Sequence, residues 1–287
     1  MITLPSSVRV EPGRGGLPRI AVKTRHGVAE VYLHGAHLTA WHPASAAEPV
    51  IWLSRESLFE TNKPIRGGVP ICFPWFGAHP TDPKAPAHGV ARLRDWTLID
   101  AREDANGVVS LTLELPADAV PARVTHEIAI GPKLTMALRI QSLNDTPFPY
   151  EAALHSYFAV GNVRNATVTG LEHTTYLDKT KGYSRLEQGD EPIHITAETD
   201  RIYLAAPTCT IHDPDRRRTI TITPSGTRTT VVWNPWIDKA RAMSDFGDDE
   251  WPEMMCVETC NVNVHAQTLG PGQTHTLSAT IETAPKQ

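Results

Sequence analysis

Two apolar stretches, far apart in the chain, each carry one side chain able to move a proton. LHSYFAV, beginning at Leu154, holds His155, and CVETCNV, beginning at Cys256, holds Glu258. Imidazole titrates near neutrality, and a glutamate is seldom buried without a partner. If the two side chains meet in one pocket they form an acid/base pair suited to neutral pH. Taken singly, a histidine on an apolar strand is more often a hydrogen-bonded core residue, and sequence alone does not bring the two together.

A second group lies in the longest stretch without strand periodicity, residues 54–95. RGGVPICFPWFGAHP offers Arg66 and the aromatics Phe73, Trp75 and Phe76, and AHGVARLRDW offers His88 and Arg92. A guanidinium presents a planar fork of donors to phosphate or carboxylate. Glycine lets backbone approach a ligand, and aromatic faces suit the C–H faces of a sugar. The plainer alternative is a satellite core with solvated arginines. Asp200, in ETDRIYL, can accept hydrogen bonds from hydroxyls, or can be a strand-edge carboxylate paired with Arg201. His34 and His37 in HGAHLTAWH sit three apart, so on a strand they face opposite ways and hold no metal together. Arg216, Arg217 and Arg218 in DPDRRRT read as a solvated hairpin tip. Walker, dinucleotide-binding and nucleophile-elbow patterns are absent, so the sequence predicts no cofactor and no metal. The spacing of Cys72, Cys209, Cys256 and Cys260 fits neither a zinc site nor a redox pair, and predicts small, reduced, apolar residues.

The elements that must position these residues are strands. VVSLTLEL alternates Val109, Leu111, Leu113 and Leu115 with Ser110, Thr112 and Glu114, and KLTMALRIQ alternates Leu134, Met136, Leu138 and Ile140 with polar residues. Period-two alternation marks half-buried strands, and the turn sequences EDANG, IGPK and SLNDTPF punctuate them. No run shows a clear helical stripe, and 24 prolines and 19 glycines break the chain throughout. The expectation is all-β: a large antiparallel β-sandwich or barrel forming one domain over residues 1–287. The net charge of −5 gives no bulk attraction to nucleic acid, so an acidic ligand must be held by a few placed arginines. No apolar run is long enough for a membrane helix, and the N-terminus lacks a signal-peptide pattern. The expected location is the cytoplasm and the expected state a monomer.

In order and spacing, RGGVPICFPWFG, HGVAR, LHSYF, TDRIY, VVWNPW and ETCNV resemble the hexose-6-phosphate mutarotases, or glucose-6-phosphate 1-epimerases, of the galactose-mutarotase-like group. The resemblance runs from about residue 20 to 280. It implies a large antiparallel sandwich and exchange between the anomers of an aldohexose 6-phosphate. It further implies His155 as general acid, Glu258 as general base, Arg66 and Arg92 near the phosphate, Asp200 on the sugar and His88 in the pocket. Some relatives carry a substrate-contacting glutamine where this chain has Ala87, which bears on sugar preference. Two other readings use the same residues. One is an aldose 1-epimerase acting on unphosphorylated sugars; the other is a catalytically silent carbohydrate-binding module.

Overall fold

The computed structural model describes residues 2–285. Its strands form antiparallel sheets throughout. The largest has nine strands and includes Val109–Glu114, Ala122–Ile130, Leu134–Ser142, Arg218–Ser225 and Thr274–Pro285. Alternation explains its shape. Val109, Leu111 and Leu113 are buried while Ser110 and Thr112 are half-buried, and the pattern repeats at Leu134, Met136, Leu138 and Ile140. One face thus lies on the core and the other towards water.

The second sheet has eight strands and carries the site. Thr199–Tyr203, Thr229–Asn234 and Met254–Asn261 are successive neighbours in it. Met254–Asn261 then pairs with two short segments, Ala152–Leu154 and Tyr157–Ala159. Every residue of Thr229–Asn234 and of Met254–Asn261 is buried, so these strands are covered on both faces. That is why their sequences show little alternation. A four-stranded sheet, Val8–Pro12 to His37–Pro43, and a small pairing of Phe148–Tyr150 with Gln267–Leu269 complete the β structure.

The single α-helix among the described residues, Trp236–Ala242, follows the buried Asn234. Asn234 Oδ1 accepts from Trp236 N at 2.8 Å, and its Nδ2 donates to the carbonyls of Trp251 and Met254 at 2.9 Å each. This amide fixes where the chain leaves the sheet. No helix among the described residues is long and apolar enough to cross a membrane.

The arginine run after Asp213 departs from expectation. Arg218 is buried, donates to the carbonyls of Glu48, Pro49 and Ala159, and lies 3.4 Å from Asp213. Strand period explains it: Arg218 shares the inward face with Ile220 and Ile222, leaving Arg217 at the exposed turn. The four cysteines are free and buried.

Candidate active site

The site is built on one face of the eight-stranded sheet. Leu154 is opposite Thr259 and Tyr157 opposite Cys256, so one unbroken register passes through His155 and sets it opposite Glu258. Cross-strand partners project to the same face. Two rows result. Asp200, Trp233, Cys256 and Tyr157 stand in line across four strands, and Glu258 and His155 stand one step along. The His155 and Tyr157 rings stack at 4.8 Å.

Loops close the walls. Arg66, Phe76, Ala87, His88 and Arg92 come from the long irregular segment, Lys179 from a 3₁₀ turn at Lys179–Lys181, and Lys239 and Met243 from the helix and its end. The segment folds back because Gly89 takes a left-handed conformation (φ 78°) and its backbone lies against Phe73, leaving no space for a Cβ. The cavity measures about 290 Å³. Arg66, His88, Arg92, His155, Asp200 and Glu258 all line it, and so does Phe76, whereas Phe73 is buried in the core and Trp75 lies outside this cavity.

At the floor, His155 Nε2 lies 3.3 Å from Glu258 Oε1, and both side chains are almost wholly buried. The contact has ion-pair distance but lacks hydrogen-bond alignment: neither Glu258 oxygen has a hydrogen-bond partner among the described residues, nor does His155 Nδ1. Burial, then the negative charge of Asp200, pushes the Glu258 carboxyl well above its ordinary range, against the pull of Lys179. Burial, then His88, Arg92 and Arg66, pushes His155 well below. Both shifts favour the uncharged pair, with the proton on Glu258.

His88 stands beside this pair, its ring 4.7 Å from Phe76 and 5.7 Å from His155. Burial and the cations Arg92, Lys179 and Arg66 hold it uncharged. Its Nδ1 accepts from Gly77 N at 3.3 Å, which assigns the ring proton to Nε2 and makes that atom a donor.

The two arginines differ. Arg66 lies 3.1 Å from Asp245 and donates to the Tyr157 hydroxyl at 3.1 Å. Burial opposes its charge, but Tyr157 and Asp245 more than offset this and its pKa is raised. Arg92 donates to the Ala87 carbonyl at 2.7 Å and has no carboxylate within ion-pair distance among the described residues. Its pKa is lowered, by burial first. Asp200 pairs with Lys179 at 2.8 Å, while Arg201 lies over the Tyr176 ring. The sequence alternative of an Asp200–Arg201 pair therefore fails, because adjacent strand residues point to opposite faces.

His34 and His37 do not converge. His34 contacts Asp95 and the Lys63 carbonyl, and His37 contacts the Gly67 carbonyl. Sequence reasoning missed Lys179, Asp245 and Lys239, whose types and surroundings carry no signal. Tyr157 and Trp233 were legible in principle, since Tyr157 lies two positions from His155 on the same face.

An all-β antiparallel sandwich carrying a buried histidine–carboxylate pair beneath a cationic rim defines the class. The aldose 1-epimerase family model matches residues 18–282, and the chain belongs to that family. A relative from Cenchrus ciliaris, provisionally named a glucose-6-phosphate 1-epimerase, is 36% identical over 276 residues, covering 90% of this chain and 82% of the relative. A Salmonella typhimurium protein with the same provisional name is 36% identical over 235 residues, 80% of this chain and 79% of its own. A crystal structure of a provisionally named mutarotase from Salmonella typhimurium superposes with a TM-score of 0.90 at 32% identity, covering 100% of this chain and 96% of that one.

Proposed function

We propose that the protein interconverts the α and β anomers of an aldohexose 6-phosphate, glucose 6-phosphate first among them, and that His155 and Glu258 carry the proton transfers. The observation that carries this reading is His155 facing Glu258 across 3.3 Å at the floor of a cavity whose wall holds a guanidinium, Arg92, with no carboxylate within ion-pair distance among the described residues. The cavity is at the small end of ligand pockets, suited to one sugar ring with its phosphate.

Anomer exchange needs ring opening. Once the pair's single proton has passed from Glu258 to His155, Glu258 takes the proton of the C1 hydroxyl while His155 delivers one to the ring oxygen O5. The C1–O5 bond breaks, C1 becomes an aldehyde, and rotation about C1–C2 presents its other face. Opening leaves Glu258 protonated and His155 neutral, the same uncharged pair that burial favours. Closure reverses the transfers, with Glu258 the donor and His155 the acceptor. Each positioned proton transfer contributes about 10²–10⁴-fold. The rigid strands hold the two groups in place around one ring. His88 Nε2 is a neutral donor for a sugar oxygen, and Asp200 accepts from a hydroxyl. Arg92, with Arg66 beside it, takes the phosphate, which serves as a handle remote from C1. The reading needs no cofactor and treats the chain as a single catalytic domain acting as a monomer.

The experiment is anomeric exchange followed by NMR saturation transfer on glucose 6-phosphate and on glucose at equal concentration. Acceleration confined to the phosphate is expected. Equal acceleration of both keeps the acid/base pair and discards the phosphate clamp, a result that the existing Arg66–Asp245 pair would then explain. Acceleration of neither leaves a carbohydrate-binding module.

A further inference from the structure

Beneath the pocket floor, next to the His155–Glu258 pair, lies a buried side chain that anomer exchange leaves unused. Cys256 and Glu258 lie two residues apart on Met254–Asn261, so thiol and carboxylate project from the same face. His155 faces Glu258 from the next segment. One ligand atom from each of the three lies within 4.8 Å of the others, and all three residues are buried. Both Glu258 oxygens lack hydrogen-bond partners among the described residues, although the side chain is only 1% exposed.

We propose that His155, Cys256 and Glu258 form an inhibitory binding site for a borderline-soft divalent cation of the zinc class. Two ligands about 2.0–2.1 Å from a tetrahedral zinc stand roughly 3.3 Å apart, and His155 Nε2 and Glu258 Oε1 stand 3.3 Å apart. The Cys256 sulfur, within 4.8 Å of a ligand atom on each partner, has to move closer to reach its ligand position. Water or a sugar hydroxyl from the adjoining cavity takes the fourth position. A thiolate, an imidazole and a carboxylate select zinc, cobalt or cadmium over magnesium or calcium. Binding releases the thiol proton, and the proton on Glu258, to solvent.

The inhibitory half rests on the acid/base reading above: a bound cation occupies the His155 lone pair and a Glu258 oxygen, the two atoms that must move protons. The metal-binding half does not depend on that reading, and the test separates them. Chelator-treated protein is titrated with Co²⁺, following thiolate-to-cobalt absorption in the near ultraviolet, with anomeric exchange of glucose 6-phosphate measured in parallel. The expected result is one equivalent bound, a thiolate band displaced by Zn²⁺, and activity falling at least tenfold with occupancy and returning on chelation, with Mg²⁺ inert. Cys256→Ala should anomerise at near-parental rate, lose the band and need about tenfold more Zn²⁺ or beyond for inhibition; if it does not fold, Cys256→Ser is read in the same way. Absence of a thiolate band, or unchanged zinc sensitivity in a folded Cys256 variant, overturns the site. A band without inhibition upholds the metal site and overturns the acid/base assignment behind the inhibitory claim.

Discussion

Arg66 and Arg92 look alike in the sequence but differ in the structure, and the difference yields a quantitative prediction. Three cations of the pocket already have partners: Arg66 has Asp245, Lys179 has Asp200, and Lys239 has Glu198 at 2.7 Å. Arg92 alone among the lining cations has no carboxylate within ion-pair distance among the described residues. A bound phosphate is therefore the missing counter-charge of Arg92, whereas at Arg66 it competes with Asp245. Arg92→Met keeps an apolar stem and removes the charge. A hydrogen bond to a charged group contributes about 1.5–3 kcal/mol, which translates to a loss of roughly 10–150-fold in kcat/KM for glucose 6-phosphate. Free glucose should change by less than about threefold, because its reacting atoms lie with His155 and Glu258.

Stability should move the other way. Arg92→Met removes a half-buried charge without orphaning an acid, so the melting temperature should hold or rise. Arg66→Met strands Asp245 and the Tyr157 hydroxyl, both largely buried. That costs about 2–3 kcal/mol, between the values for exposed and fully buried pairs. With an unfolding entropy of about 2.1 cal/mol/K per residue, the midpoint falls by roughly 3–5 °C. The assays are anomeric exchange on both sugars and thermal unfolding of both variants. Equal losses on glucose and its phosphate in Arg92→Met, or greater phosphate selectivity loss in a fully stable Arg66→Met, would refute the reasoning.

Other perturbations test the floor and the core. Glu258→Gln should lower kcat by about 10²–10⁴-fold while substrate still saturates the enzyme, and His155→Ala should be comparably slow yet folded; near-parental rates in either folded variant remove that residue from the mechanism. Because the native Glu258 pKa is raised, the native state keeps a proton that the unfolded chain sheds above about pH 4.3, so stability declines as pH rises from there. Glu258→Gln should therefore gain stability over the parent as pH increases from 5 to 8, read from urea midpoints, and a constant offset contradicts the assigned protonation. Burial pushes His37 down to about 3 and His126 to about 4, and holds His88 and His155 well below their ordinary value. Below about pH 6.5 the unfolded chain binds four protons there that the native state refuses, one of them balanced by Glu258. Stability should thus fall as pH drops from 6.5 towards 4.5, by at most about 4 kcal/mol per pH unit, and His126→Gln should flatten that slope.

What the sequence displayed and what it hid follow from the same periodicity. Leu111 and Met136 announce their strands because only one face of the nine-stranded sheet is buried. Met254–Asn261 is covered on both faces, so its alternation vanishes and Glu258 stands out only as a charge among apolar neighbours. Chemical type alone marked His155 and Glu258 as candidates. What brings them together is register, through the pairings Leu154–Thr259 and Tyr157–Cys256 on either side of His155. Register is a long-range property set by which strands become neighbours, and no local pattern encodes it. The same holds for charge. Arg66 and Arg92 were visible as arginines, but which of them stays unpaired depends on Asp245, delivered by the turn beyond the helix. Arg218 was misread because the turn chemistry of Asp213–Pro214 dominates its surroundings, while its inward direction is set by Ile220 and Ile222 further along. Cys256 reads as an ordinary small apolar residue until the strand shows it on the face of Glu258, two positions away, with an imidazole opposite. The chemistry of this pocket is thus a property of rows across the sheet, and a substitution that shifted the register of Tyr157–Ala159 by one residue would turn His155 away from Glu258 without changing either side chain.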